Sequence, residues 1–324
     1  MTTRRQLLTT IGAGALVAPM LSRAQTKPYR VGFLSSEAPS ETREMARLST
    51  FRNALRDRGY VEGRNLVIET RYAQGRYDEL SRLATELVNL KVDVLVASGT
   101  KPLMAAKSVT TTVPIVMGSS GDAVNIGASA NLARPTANVT GWTFFGAQLA
   151  SKLVELIKEA APRTMRLAYV VNPAESSYAM GATRDAASSL NLALSLFEVR
   201  TPAELSGTFD RMVATKCDAV MVQSGSMFAV HAKTIAELAL ASRLPSGSQL
   251  YEYAELGGLI TYGPDRLEGY RKAAEFVDKL LRGAKVADLP IEQASQFELV
   301  INTTTAAALG LRIPQSLQSR ARLI

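Results

Sequence analysis

The sequence predicts an α/β protein of two similar lobes, each a mostly parallel sheet covered by helices, and three observations carry that expectation. From residue 28 onward, short runs rich in Val, Ile and Leu alternate with segments of helical periodicity, the pattern of βαβ units. Nearly every apolar run ends in small polar residues. One block also occurs twice: Leu87-Val88-Asn89-Leu90-Lys91-Val92-Asp93 with Val94 to Thr100 aligns with Met212-Val213-Ala214-Thr215-Lys216-Cys217-Asp218 with Val220 to Ser226, after a single inserted residue, Ala219. A chain of 324 residues is long enough for two such lobes.

Taken in order, residues 1–24 read as an export signal. Arg4-Arg5 precede an apolar run from Ile11 to Leu21 that is too short to span a bilayer, which takes about 20 residues. Ser22-Arg23-Ala24 offers the small residues a signal peptidase reads, so cleavage is expected before Gln25. The arginine pair resembles a twin-arginine signal, with an ordinary secretory signal as the alternative. No cysteine lies near the cleavage point, so a lipid anchor is not expected. Strands are then expected at Arg30–Leu34, Leu66–Arg71, Val92–Ala97, Ile115–Met117, Leu167–Val171, Leu196–Val199, Ala219–Gln223 and Leu259–Tyr262. Leu48, Phe51 and Leu55 mark one buried helix face, closed by Gly59, and Leu149, Leu153, Leu156 and Ile157 mark another, stopped by Pro162. A third stripe runs from Leu267 through Tyr270, Ala274 and Val277 to Leu281, before Gly283.

Composition removes several function classes. A formal charge of +8 is scattered along the chain rather than gathered, which argues against nucleic-acid binding. The lone Cys217 allows no internal disulfide and no cysteine-rich zinc site, and reads as an inert buried thiol. The lone His231 follows no G-x-S-x-G elbow and reads as a surface or core-edge residue. Ser98-Gly99-Thr100-Lys101 matches S-x-x-K, but the S-D-N and K-T-G companions of that motif are missing. No phosphate loop, metal cluster or cofactor motif is found, so neither catalysis nor a cofactor is expected.

In an open parallel sheet ligands bind beyond the carboxyl ends of the strands. The expected tips are Ser35-Ser36-Glu37, Ser98-Gly99-Thr100, Gly118-Ser119-Ser120-Gly121-Asp122, Asn172-Pro173-Ala174-Glu175-Ser176-Ser177 and Ser224-Gly225-Ser226. All are rich in small hydroxyl or glycine residues, which suit a polar head group such as a carboxylate and serve equally well as helix caps. Trp142, Tyr178, Tyr251, Tyr253 and Tyr262 lie near tips or crossings, where they would either face an organic ligand or pack a junction.

Several stretches resemble a known family, the exported substrate-binding proteins of ABC transporters in the tryptophan-binding-protein-like group. They are Arg30 to Leu34, Phe51-Arg52-Asn53-Ala54-Leu55 through Asn65, Leu132-Ala133-Arg134-Pro135 with Asn138-Val139-Thr140-Gly141, Gly257 to Pro264, Asp288 to Gln293 with Phe297 to Asn302, and Ala308 to Leu317. The resemblance implies two Rossmann-like lobes in the type I periplasmic binding fold, with a ligand cleft between them and three crossings. On this sequence, lobe one would take 28–140 and 258–292, and lobe two 141–257 and 293–324. It also implies a soluble, monomeric periplasmic receptor that delivers a small ligand, an amino acid or similar carboxylate, to a permease at the inner membrane. Ligand-binding candidates are Ser36, Ser98, Gly99, Thr100, Asp122, Trp142, Asn172, Ser177, Tyr178, Ser224, Gly225 and Tyr262. The hydroxyls and backbone N–H groups would take a carboxylate, Asp122 an ammonium or hydroxyl, and the aromatics the side chain. Two departures fall in this region: Ser119-Ser120-Gly121-Asp122 stands where the family usually has Gly-Asp-Pro, and Trp142 where it has an aliphatic or small residue. A sensory receptor on the same fold is the alternative, and an exported hydrolase using Ser98 and Lys101 a weaker one.

Overall fold

The computed structural model describes residues 27–144, 146–175 and 179–324, so the expected export signal lies outside the described residues. The chain first lays down β1 (Tyr29–Ser35), α1 (Thr42–Arg56), β2 (Leu66–Tyr72), α2 (Leu80–Asn89), β3 (Val94–Ser98), α3 (Thr100–Val109), β4 (Ile115–Ser120) and β5 (Val139–Thr143). It then crosses to the second lobe for α4 (Gly146–Ala160), β6 (Arg166–Val171), α5 (Met180–Ser189), β7 (Ala193–Glu198), α6 (Leu205–Ala214), β8 (Ala219–Val222), α7 (Ser226–Val230), α8 (Ala232–Ala241), β9 (Ser246–Ser248) and β10 (Ile260–Gly263). It returns for α9 (Arg266–Leu281) and β11 (Glu292–Gln293), and crosses a last time into β12 (Glu298–Ile301), α10 (Thr303–Ala308), α11 (Gln315–Gln318) and β13 (Arg322–Leu323).

The first sheet runs β2-β1-β3-β4-β5-β11 and the second β7-β6-β8-β9-β10-β12-β13. The first five strands of each follow the same order, 2-1-3-4-5, of a doubly wound sheet. Parallel strands covered on both faces must be apolar throughout, and β1 shows why the run is continuous. Val31 and Phe33 point into the cluster shared with α1 and α9, while Leu34 joins the opposite cluster with α2 and α3. The antiparallel exception is β10 against β12, where Ile260 faces Ile301.

The internal repeat is structural. Lys91 and Lys216 both take a left-handed turn, at φ 55° and 58°, ending α2 and α6. Asp93 then accepts from the Arg30 backbone N–H at 2.7 Å, and Asp218 accepts from the Arg166 backbone N–H at 2.9 Å. Each aspartate thus ties its turn to the start of the neighbouring central strand, β1 or β6.

Sheet membership shifts the lobe limits read from the sequence. Strand 139–143 completes its pairing in the first sheet, where Trp142 pairs with Glu292 of β11, so the first lobe extends past 140. Strand 260–263, expected in lobe one, belongs to the second sheet, because it lies between β9 and β12. The crossings follow β5, β10 and β11.

Candidate functional site

In a 2-1-3-4-5 sheet the connections leave the central strand and its neighbour in opposite directions, opening a crevice at their carboxyl ends. The first sheet opens between β1 and β3, after which come Ser36-Glu37 and Gly99-Thr100-Lys101. The second opens between β6 and β8, followed by Asn172 to Glu175 and Ser224-Gly225. These two crevices face each other across one cavity. Its wall includes Glu37, Arg47, Ser98, Gly99, Thr100, Lys101, Ser119, Gly121 and Tyr270 from the first lobe, Phe144 at the first crossing, and Glu175, Ser224, Gly225, Ser226 and Ala229 from the second. The room for centres of water-sized spheres is about 60 Å³.

The lobes touch directly beside this cavity. The Ser36 and Ser226 hydroxyls lie 3.0 Å apart, Arg43 Nη1 donates to the Ala229 carbonyl at 3.0 Å, and the Tyr77 hydroxyl donates to Glu175 Oε1 at 2.5 Å. This is the closed arrangement of a two-lobed molecule.

A buried charge cluster forms the first lobe's side of the wall. Glu37 accepts from Arg47 Nη1 at 2.8 Å and from Arg43 Nη2 at 2.9 Å, and Arg47 also reaches Glu44 at 3.3 Å. Burial by itself would raise the Glu37 carboxyl, but Arg47 and then Arg43 hold it below the usual carboxylate range. Burial wins at Glu44, whose pKa is raised although Arg47 opposes it. The Arg47 guanidinium stands 5.9 Å from the Tyr270 ring centre, and the Tyr270 hydroxyl lies 2.6 Å from Ser98 Oγ. Burial pushes the Tyr270 phenol up to about 12, so it stays a neutral hydrogen-bonding group.

Two charges on the wall differ from that paired cluster. Among the described residues, neither Lys101 nor Glu175 has an ion-pair partner; Glu175 takes its bonds from the Tyr77 hydroxyl and the Ser226 backbone N–H. The Ser119 hydroxyl is buried and has no hydrogen-bond partner. A cation, an anion, an unused hydroxyl and the exposed N–H groups at the start of α3 therefore converge on one small space.

Of the candidates read from the sequence, Ser98, Gly99, Thr100, Ser224 and Gly225 line this cavity. Ser36 and Asn172 line an adjoining outer cavity. Ser177 and Tyr178 lie outside the described residues. Three candidates are placed elsewhere. Asp122 folds back on its own turn, accepting from the Val124 and Asn125 backbone N–H groups at 3.1 and 3.3 Å. Trp142 is 1% exposed and packs with Phe144, Leu149 and Ala294, because α9 crosses it at Gly269. Tyr262 stacks on Phe297 at 6.2 Å beside the second and third crossings. Glu37, Arg47, Lys101, Ser119, Glu175 and Tyr270 are on the wall but were not among the candidates. For Arg47 the sequence held a signal: Glu44 and Arg47 share the helix face of Leu48, Phe51 and Leu55, where unpaired charges do not belong.

A sequence profile described as ABC transporter substrate binding protein matches residues 40–323. The chain belongs to this family. As a substrate-binding protein it is similar to a tyrosine-binding protein of Clostridioides difficile (strain R20291), 26% identical over 264 residues, covering 81% of this chain and 76% of the relative. It also resembles an ABC domain from Streptococcus pneumonia solved with L-Trp, with a TM-score of 0.84, 23% identity and coverage of 92% and 99%. A conserved domain protein from Vibrio cholerae gives a TM-score of 0.84 at 26% identity, with the same coverage. The two lobes and the cleft are those of the type I periplasmic binding protein fold, and this substrate-binding protein carries its opposed charges in that cleft.

Proposed function

We propose that the protein receives a free amino acid as a zwitterion between its lobes and delivers it to a membrane permease for import. The observation that carries this reading is that Lys101 and Glu175, neither of them ion-paired among the described residues, both line a cavity large enough for an amino-acid head group. The ligand carboxylate is held by Lys101, the Ser119 hydroxyl and the N–H groups opening α3, and the ammonium by the Glu175 carboxylate. Thr100 supports this by fixing the tip of β4, since the Gly121 N–H donates to its hydroxyl at 3.2 Å. Glu175 replaces Asp122 in the role expected from the sequence, because Asp122 is committed to its own turn. A relative that binds tyrosine and a neighbour solved with L-Trp support an aromatic side chain, for which Phe144 and Tyr270 offer ring surface.

Export to the periplasm completes the reading. It is supported by the Arg4-Arg5 signal pattern.

Calorimetric titration of the mature protein with L-tyrosine and L-tryptophan, beside tyramine and 3-(4-hydroxyphenyl)propionate, tests the zwitterion. A match to both charges makes each single-charge analogue at least about tenfold weaker, since a hydrogen bond to a charged group contributes about 1.5–3 kcal/mol. Lys101→Met should narrow the gap between L-tyrosine and tyramine, and Glu175→Gln the gap between L-tyrosine and the propionate. Equal binding of all three compounds by the native protein would refute the proposal, as would the failure of a full amino-acid panel to raise the melting temperature.

A further inference from the structure

The cavity between the lobes has a larger neighbour. Toward the rim, about 480 Å³ is bounded by Gln74 to Tyr77 of the first lobe and by Asn172, Pro202, Met227 and Val230 of the second. Of the residues bounding the two spaces, Glu37 and Ser226 bound both. The partition lies where two interlobe pairs meet. Tyr77 lines the outer space and Glu175 the inner one, and they are joined by the phenol-to-carboxylate bond. Ser36 lines the outer space and bonds Ser226 beside them.

Three features hold this wall in place. Glu175 is anchored from behind by the Ser226 N–H at 3.1 Å. Glycine at 225 leaves room for the Glu175 side chain, since a Cβ there would lie 2.9 Å from Glu175 Cγ and push it aside. Burial and the neighbouring Glu175 carboxylate raise the Tyr77 phenol, so it remains a donor at neutral pH.

The geometry points to Tyr77 as the residue that sets ligand length. With its ring in place the ligand ends at Glu175 and is a single amino acid. With the ring removed, the inner and outer spaces join. A ligand extended through its amino group, such as a dipeptide, then continues past Glu175 along Met227, Val230 and Pro202. This inference rests on the amino-acid reading of the inner cavity. It adds that the native protein excludes peptides by a wall, beyond the loss of the ammonium that Glu175 would hold.

Tyr77→Ala and Tyr77→Phe separate ring from hydroxyl. Titrations with L-tyrosine and glycyl-L-tyrosine should show that the native protein and Tyr77→Phe prefer the amino acid. Tyr77→Ala should shift the ratio of the two affinities at least about tenfold toward the dipeptide. The Phe variant should lose L-tyrosine faster in stopped flow while keeping its size preference. Crystal structures of the Ala and Phe variants give a readout independent of either ligand: one continuous cavity in the former and two in the latter. Separate cavities in Tyr77→Ala, or an unchanged affinity ratio in a variant with native circular dichroism, would overturn the role of Tyr77 and leave the zwitterion proposal standing. Failure of native protein to bind any amino acid would count against the proposed function, and the cavity readout would still decide the wall.

Discussion

Replacing Gly269 by alanine should loosen the first lobe and disturb the cavity together. Gly269 is where α9 rests on the sheet, and an added Cβ would lie 2.0 Å from the Gly118 carbonyl oxygen and 2.8 Å from Trp142 Cε3. The obstacle is backbone, which cannot rotate away, so restoring ordinary contact requires α9 to withdraw by about 1.4 Å. The same helix buries Tyr270, Ala273, Ala274, Phe276 and Val277, so withdrawal opens a whole face of the core. Overpacking of this kind costs about 1–3 kcal/mol. Tyr270 follows Gly269 directly, and moving it by that distance breaks its 2.6 Å bond to Ser98 on the cavity wall. Urea unfolding of Gly269→Ala gives the energetic term, and a crystal structure gives the displacement. An unfolding free energy within about 0.5 kcal/mol of native, with α9 unmoved, would refute the packing argument.

Trp142→Ala should act on stability, costing about 3–5 kcal/mol by denaturant unfolding. Trp142→Phe should recover much of that, whereas equal losses would put the indole outside the core. Because Trp142 is the sole tryptophan and is 1% exposed, its emission should move to longer wavelength only with global unfolding. Glu37→Ala leaves Arg47 with Glu44 alone and removes the partner of Arg43, and breaking a buried pair from one side costs about 3–5 kcal/mol. A change below about 1 kcal/mol in the same unfolding assay would contradict that geometry. The two buried carboxylates should give stability opposite slopes with pH. Glu44, with its folded pKa raised above 4.5, binds a proton on folding, so its contribution grows as pH falls from its raised pKa toward 4.5. Glu37, with its folded pKa lowered, contributes fully above 4.5 and loses that contribution as pH falls below it. Subtracting unfolding curves of Glu44→Gln and Glu37→Gln from native across pH 3–7 isolates each slope, and slopes of the same sign would refute the assignment.

The sheets were legible because a parallel strand covered on both faces has to be apolar along its length, and the tips because glycine and hydroxyl residues end such strands. Those rules found Ser98-Gly99-Thr100 and Ser224-Gly225. Strands 139–143, 246–248, 292–293, 298–301 and 322–323 were not among those expected, being short or broken by small and polar residues. Two further wall residues come from helices: Arg47 is placed by α1, and Tyr270 of α9 reaches the cavity because Gly118 and Gly269 let α9 sit directly on β4. Their role is a property of helix placement, and no local pattern encodes it. Trp142 misled for the related reason that a strand residue near a tip faces either ligand or a covering helix, and Gly269, over a hundred positions away, decides which.

The return of the chain for α9 and β11 also has a consequence during synthesis. A ribosome that has produced residues 27–144 has made five adjacent strands of one sheet, but the helix that seals the face around Val116 and Phe33 is not yet translated. A polypeptide stopped anywhere before residue 266 leaves that face wet, so deletions from the carboxyl terminus should cripple the amino-terminal half, and the two halves reach maturity together or not at all.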